Sequence, residues 1–506
     1  MDKANPFNMP EIITLIGRFL PLWKYSCRLG FYHFNPKTLL RCTRVNRTWR
    51  DALAPVIWYV YNGYVMRSVP NEIITKNSHY FRVFFYDRCF SGPFQSGYLK
   101  ELVISWWDGA LLPLVEANAS SLQSLGWKGS TSPSPMRSTT LPNLDYDLFM
   151  RMAPTLEELQ LSHWTLSGRD FVDFLASCKR LNSLCLAAIE WVESSSTDPQ
   201  SSPSSSLSTS LSSPQSWIDP RYHCQANQGL VDLRLDVSVS KEGAFVDLIR
   251  SCPNLENFSL YSESAEDART LIPVLRDYCP RLTRIEYVIR FSSVLNGHDY
   301  LTDTEYSGLV LCSRRIQSLK IDIPQLGYIM TKALILQSTT LVSLNLRFLG
   351  RQDMPMHDAE NICQILKHCI HLRHFSLFFS PNSLGKEETL RLFEQPWGCV
   401  ELETLELTDV TMAMDHGGGD GGEGLAGSNV DHQGSTQQTY HWSLASAAPR
   451  PTPVDSSMGN ENIGGVRYRS MAKQKLFEQV HKLPKLAKLS LNHVTYSVDG
   501  FSDSSS

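Results

Sequence analysis

The sequence predicts an α/β chain: a small helical module at the N-terminus, then a curved solenoid with parallel strands on the concave face and helices outside. Three observations predict it. An apolar triplet recurs along most of the chain in the cadence Leu-x-x-Leu-x-Leu. Stretches with apolar residues at helical spacing stand between the triplets. Residues 8–58 depart from the cadence and carry helical stripes of their own.

The triplets justify the strands. FRVFFY, from Phe81, is a degenerate first copy. LKELVI follows from Leu99, LQSLGW from Leu122, LEELQL from Leu156, LNSLCL from Leu181, LVDLRL from Leu230 and LENFSL from Leu255. LTRIEY starts at Leu282, IQSLKI at Ile316, LVSLNL at Leu341, LRHFSL at Leu372, LETLEL at Leu402 and LAKLSL at Leu486. Starts lie typically ~25 to ~34 residues apart, near the leucine-rich period of roughly 20–29, with insertions in the longer gaps. The last two apolar positions sit two apart, on one face of a strand. The first sits three earlier, where the chain bends in from a turn. One unit cannot cover its own apolar face, so neighbours must stack.

The segments before strands justify the helices. Phe171, Phe174 and Leu175 fall at helical spacing, as do Phe245, Leu248 and Ile249, and Ile362, Ile365 and Leu366. Leu271, Val274, Leu275 and Tyr278 form a further stripe, in which Pro273 predicts a late start or a kink. Cys178, Cys252, Cys279 and Cys369 each stand three residues before a triplet, and a small buried thiol suits that corner. Metal or redox use of them would need paired ligands close in space. This Cys-x-x-Leu cadence resembles the cysteine-containing class of leucine-rich repeats. The Asn that follows the strand in the commoner class is mostly absent, so the corners must be hydrogen-bonded differently.

The N-terminal module has its own stripes. Pro10 and Glu11 suit a first helical turn. Ile12, Leu15, Ile16, Phe19 and Leu20 then form an apolar face that Pro21 ends. A second helix is capped by Asn35, carries Leu39, Cys42, Val45, Trp49, Ala52 and Leu53, and ends at Pro55, before Trp58. Helices this short make little core alone: either they pack on each other and cap the first repeat, or they also present apolar surface to a partner.

MPEII, IGRFLP, LLRCTRVNRTWRDAL and the trailing Trp58 resemble an F-box, over about 50 residues. F-box proteins with C-terminal leucine-rich repeats, of a type common in fungi, are substrate-recognition subunits of SCF-type cullin–RING ubiquitin ligases. The resemblance implies contact with the Skp adaptor through Met9, Pro10, Ile13, Ile16, Leu39, Leu40, Val45 and Trp49. The alternative for each is core packing. Leu22 to Phe34 is longer than the family's usual connection, so it either disturbs docking or adds an aromatic patch. The repeats are expected to hold an unidentified protein substrate. Trp127, Trp164, Arg234, Glu286 and Arg347 are candidates because they are large or charged and lie in or near strands.

The boundaries that follow are a helical module at 1–60 and repeats at 61–411, with a disordered Ser/Pro insertion at about 193–217. A disordered Gly/Ser-rich insertion spans 412–466, the last repeat 467–498 and a disordered tail 499–506. Neither insertion can bury enough apolar surface to offset the entropy of ordering. Ser132, Ser134, Ser202 and Ser213 precede Pro and are candidate phosphorylation sites.

Other chemistries find little support. Net charge is −4 in 506 residues, which argues against nucleic acid. Arg41, Arg44, Arg47 and Arg50 could line a recognition helix, but a solvated face looks the same. His368, His371 and His374 cross a helix end into a strand, so their rings should diverge rather than share a metal. GGGDGGEG, Gly417 to Gly424, lacks the Lys-Ser/Thr of a phosphate loop. No catalytic constellation stands out, so the chain is expected to be no enzyme and to need no cofactor. No run approaches a membrane span and MDKANPFNMP has no signal-peptide core. The 12 cysteines are thus expected as free thiols in the cytoplasm or nucleus. The alternative function is a repeat interaction scaffold with no ligase link.

Overall fold

A computed structural model describes residues 9–20, 23–26, 31–34, 36–66, 69–86, 96–105, 111–129, 145–192, 227–237, 243–290, 300–349, 356–379, 386–408, 439–441, 471, 474–492 and 494–497. It divides into two compact units, Met1–Glu256 and Asn257–Ser506. That division falls inside the stretch expected as one array.

Unit 1 begins with α1 (Pro10–Phe19), the antiparallel pair β1 (Trp23–Ser26) and β2 (Phe31–Phe34), α2 (Lys37–Cys42) and α3 (Arg47–Ile57). The long second helix expected here is two helices. Asn46 breaks it: its extended backbone starts α3 and its side chain accepts the Trp49 N–H at 2.9 Å. Pro55 lies inside α3 rather than ending it. Ile13, Leu39, Ala52, Leu53 and Ile57 form the module's core. Gly17 lets α1 approach closely, because a Cβ there would stand 2.5 Å from Leu53 Cδ2.

The strands of unit 1 are β3 (Val60–Asn62), β4 (Val83–Tyr86), β5 (Glu101–Ile104), β6 (Ser124–Lys128), β7 (Glu158–Ser162), β8 (Thr165–Ser167), β9 (Ser183–Ala187), β10 (Glu190–Val192) and β11 (Asp232–Val237). β3, β4, β5, β6, β7, β9 and β11 form a parallel sheet in that order, and β8 pairs with β10 in a small parallel sheet of its own. The sheet therefore starts one strand earlier than expected, at VYN. The helices are α4 (Gly63–Met66), α5 (Asn71–Asn77), α6 (Leu112–Asn118), α7 (Tyr146–Met152), α8 (Gly168–Ser177) and α9 (Gly243–Arg250).

Unit 2 alternates β12 (Asn257–Ser262), α10 (Ala265–Tyr278), β13 (Arg284–Ile289), α11 (Asp303–Val310), β14 (Ser318–Ile323), α12 (Tyr328–Leu336), β15 (Ser343–Phe348), α13 (Met356–His368), β16 (His374–Phe378), α14 (Lys386–Glu394) and β17 (Thr404–Thr408). Then come β18 (Thr439–His441), β19 (Lys488–Leu491) and β20 (Val494–Ser497). β12 to β17 and then β19 are parallel neighbours; β20 folds back antiparallel on β19 and carries β18 on its far side. α10 to α14 pack on one another in sequence. α10 starts at Ala265 behind the cap Ser264 and runs through Pro273. Strand β18 lies within the stretch 412–466, whose other residues are outside the described ones. Ser132, Ser134, Ser202, Ser213, the Gly417–Gly424 run, the segment about 193–217 and the tail 499–506 lie outside the described residues.

The triplets make the sheets. Register pairs the middle positions Phe84, Leu102, Leu125, Leu159, Leu184 and Leu233 across unit 1. Phe258, Ile285, Leu319, Leu344, Phe375, Leu405 and Leu489 do the same across unit 2. All three members of every triplet are buried, which removes roughly 25 cal/mol of cost for each Å² of apolar surface taken from water.

The corners answer the missing Asn with backbone bonds. Leu181 N–H donates to the Cys178 carbonyl at 3.3 Å, Leu282 to Cys279 at 3.2 Å and Leu402 to Cys399 at 3.1 Å. The next two N–H groups share one carbonyl of the preceding repeat: Glu157 and Glu158 both donate to Gln123, at 2.7 and 3.0 Å. Val342 and Ser343 do so to Gln317, at 2.8 and 2.9 Å. Where Asn227 takes the cysteine position, its Oδ1 accepts the Gly229 and Leu230 N–H groups. His163 and Ala188 leave their strands at φ 58° and 49°, and each N–H reaches the adjacent strand, at Ala187 and Asp236.

Candidate protein-interaction surfaces

Two surfaces carry the residues singled out in the sequence. On the N-terminal module, Ile13 and Gly17 face the core. Leu15 and Phe19, one helical turn apart, lie on the opposite side of α1. The apolar stripe of α1 is therefore split: Ile12, Ile16 and Leu20 are half-buried while Leu15 and Phe19 are exposed. Exposure is 38 % for Met9, 54 % for Leu15, 81 % for Phe19, 46 % for Leu40 and 63 % for Val45. Pro10 is also exposed.

Of the expected adaptor contacts, Met9, Pro10, Leu40 and Val45 thus face outward. Ile13 and Leu39 belong to the core, and Ile16 and Trp49 are half-buried. Ile13 is held there because α1 crosses α3 on its Ile13/Gly17 side, where the Thr14 hydroxyl also bonds the Ala52 carbonyl. Leu15 and Phe19 are exposed residues absent from the expected adaptor contacts. Helical spacing assigns a residue to a stripe but not the stripe to a partner. Within the long connection Leu22–Phe34, β1 and β2 pair antiparallel, with Trp23 opposite Phe34 and Tyr25 opposite Tyr32.

On the strand surface, the substrate candidates divide. Trp127 and Trp164 are buried, correcting their placement as surface anchors. The Trp164 indole N–H donates to the Trp127 carbonyl at 3.0 Å, and the rings meet edge to face at 5.0 Å. Trp127 fills the third place of its triplet, an inward position that its side-chain type concealed. Arg234 is exposed on β11. Glu286 accepts the Tyr261 hydroxyl at 2.7 Å and Lys320 Nζ at 2.5 Å, bridging β12, β13 and β14. Arg347 grips Asp322 through Nε at 2.8 Å and also through Nη2. Asp322 is fully buried, and burial pushes its carboxyl above the usual range against the pull of Arg347. Glu101 is raised by burial and then by the Glu158 charge two strands away.

The remaining chemical candidates separate in space. Arg41 lies in the last turn of α2, Arg44 in the turn that follows and Arg47 and Arg50 on α3, so no single helix face presents them. His374 Nδ1 meets Thr404 Oγ1 at 2.8 Å, whereas His371 faces Glu401 at 3.7 Å. Among the described residues, no group of three or more His, Cys, Asp or Glu is placed to hold a metal. No described helix is long and apolar enough to cross a membrane. Burial pushes the thiols of Cys178, Cys312 and Cys369 up to about 12 and those of Cys363 and Cys399 to about 11, the reverse of an activated nucleophile.

No family model matches the chain, and no curated protein does. Among solved structures, a chain of the Rad7 and Elc1 complex in yeast aligns with 74 % of this chain and 86 % of its own length, at 13 % identity and a TM-score of 0.32. That likeness is too loose to bear on partners or activity. What the residues themselves establish is an α/β protein of stacked parallel-strand repeats with an apolar N-terminal surface.

Proposed function

We propose that this chain is the substrate-recognition subunit of a cullin–RING ubiquitin ligase of the SCF type. Its N-terminal helices bind a Skp-type adaptor and its strand surface binds a protein substrate. One observation carries the reading: Met9, Leu15, Phe19, Leu40 and Val45 stand exposed on a module whose own core is closed around Ile13, Leu39 and Leu53. Water contact with that many apolar side chains on one small module is unfavourable, and a docked partner relieves it. In this reading the chain is not itself an enzyme. It acts in the cytoplasm or nucleus by holding substrate lysines near a catalyst supplied elsewhere, which raises their effective concentration.

Co-purification of the full chain with a Skp-type adaptor tests it. The unaltered chain retains the adaptor, whereas Leu15→Asp with Phe19→Asp, and separately Leu40→Asp, lose it. These positions are exposed, so the changes should leave the thermal unfolding profile as it is in the unaltered chain. An unaltered chain that never holds the adaptor removes the ligase and leaves an interaction scaffold. Retention by all variants moves the contact elsewhere on the module.

A further inference from the structure

We propose that unit 1 carries an anion-recognition cleft, where the N-terminal helices meet the first strands, that binds a peptide segment bearing clustered negative charge. The cleft has a volume of about 740 Å³, within the ~300–1,000 Å³ typical of ligand sites. The last turn of α1 and the end of α3 form one wall, through Arg18 and Val56. The starts of the first strands form the other, through Tyr59, Tyr80, Arg82 and Lys100.

Repeat geometry builds the cationic wall. Arg82 and Lys100 each follow the first apolar residue of a triplet, so they occupy equivalent places on neighbouring strands. Arg82 N–H donates to the Tyr59 carbonyl at 2.9 Å and Lys100 N–H to the Arg82 carbonyl at 2.7 Å. Tyr59, Arg82 and Lys100 therefore stand in one column. Arg18 faces the column from α1.

The Arg82 guanidinium is already oriented. Nη1 donates to the His79 and Phe81 carbonyls at 3.0 and 2.9 Å, and the group lies 5.6 Å from the centre of the Tyr98 ring. Nε and Nη2 remain without a partner among the described residues, and they are the edge of the fork that grips a carboxylate or phosphate. Arg18 and Lys100 make no ion pair among the described residues. Among the described residues, no Asp or Glu lines the cleft. Elsewhere the same chain answers its cations locally, as Lys320 with Glu286 and Arg269 with Glu305. A recess lined by one sign of charge concentrates the field and favours an anionic occupant. Three cations are too few for the many phosphate contacts that nucleic-acid affinity rests on. The aromatic walls, Tyr59 and Tyr80, suit a peptide backbone and its side chains. The inference stands apart from the ligase reading, since it involves neither Leu15, Phe19 nor Leu40.

Fluorescence anisotropy with the full chain tests it. The probes are a labelled oligo-glutamate peptide, a multiply phosphorylated Ser/Gly peptide, its unphosphorylated twin and a single-stranded oligonucleotide. Binding of the charged peptides, weakening with salt, and no binding of the neutral twin are expected. The stronger of the two charged peptides identifies carboxylate or phosphate as the preferred source. Arg18→Gln with Lys100→Gln should weaken binding roughly tenfold or more, as loss of charge partners does. Adding Arg82→Gln should abolish it, and the double variant decides the matter if the triple one fails to fold. Arg41→Gln, Arg44→Gln and Arg47→Gln remove charge elsewhere on the module and should leave affinity unchanged. Equal loss in that control, tighter binding of the oligonucleotide, or no binding of either charged peptide overturns the proposal.

Discussion

At the scale of single residues, close backbone approach sets the tightest limits. Gly129 donates its N–H to the Ser162 carbonyl at 2.7 Å, and a Cβ there would lie 1.9 Å from the His163 carbonyl oxygen. Neither atom is the tip of a flexible side chain, so Gly129→Ala must move backbone. We expect a loss of about 1–3 kcal/mol, read by urea unfolding. The corner thiols give a second prediction. Cys178 and Cys369 have folded values near 12 against an ordinary value of 9.0. Below pH 9 both folded and unfolded chains keep the proton and stability is unaffected. As pH rises from about 9 toward about 12 the unfolded chain releases it first, so stability falls through that window. The same burial should leave Cys178, Cys312 and Cys369 unalkylated by iodoacetamide in the folded chain while half-exposed Cys42 reacts. Labelling of the buried thiols at the rate of Cys42 would contradict the packed corners.

At the scale of elements, side-chain caps fix the starts of α3, α7, α10 and α11, and the triplets fix the strands of the repeats. Thr302 and Glu305 close a capping box at the start of α11, with the Thr302 N–H 2.6 Å from the Glu305 carboxylate. Thr302→Ala should cost about 0.5–2 kcal/mol, measurable as faster amide hydrogen exchange in α11. The strands were legible because Leu-x-x-Leu-x-Leu states both the period of a strand and the side that is buried, and register then follows from stacking. The helix stripes of the repeats were legible for the same reason, Tyr278 excepted: it sits on the last turn of α10 and is exposed. The N-terminal module was only half legible. Its apolar residues exceed what α1, α2 and α3 bury, and periodicity cannot say which of Ile13, Leu15 or Phe19 goes inside. Gly17 decided that, by admitting Leu53 to one side of α1. The break at Asn46 was hidden because Val45 and Trp49 continue the apolar spacing across it. The candidate surface was least legible at Trp127 and Trp164, whose size suggested binding anchors but whose places in the repeat were interior.

At the scale of the whole molecule, stability is distributed instead of concentrated in one core. Each strand of unit 2 pairs only with its neighbours, and each helix from α10 to α14 packs against the next. Such an array behaves as a chain of local stabilities joined by nearest-neighbour interfaces, so a defect spreads by steps and does not melt everything at once. Leu344 tests this, because it is fully buried at the middle of β15, between Leu319 of β14 and Phe375 of β16. Leu344→Ala removes that contact and should cost about 2–5 kcal/mol locally. Amide hydrogen exchange should then accelerate most in β15, less in β14 and β16, and least toward β12 and β19. Asn345→Ala, one residue along on the outward face, should leave the profile nearly unchanged. Uniform acceleration across unit 2 would mean that it unfolds as a single cooperative body, and that the repeat is a pattern of sequence without a matching pattern of energy.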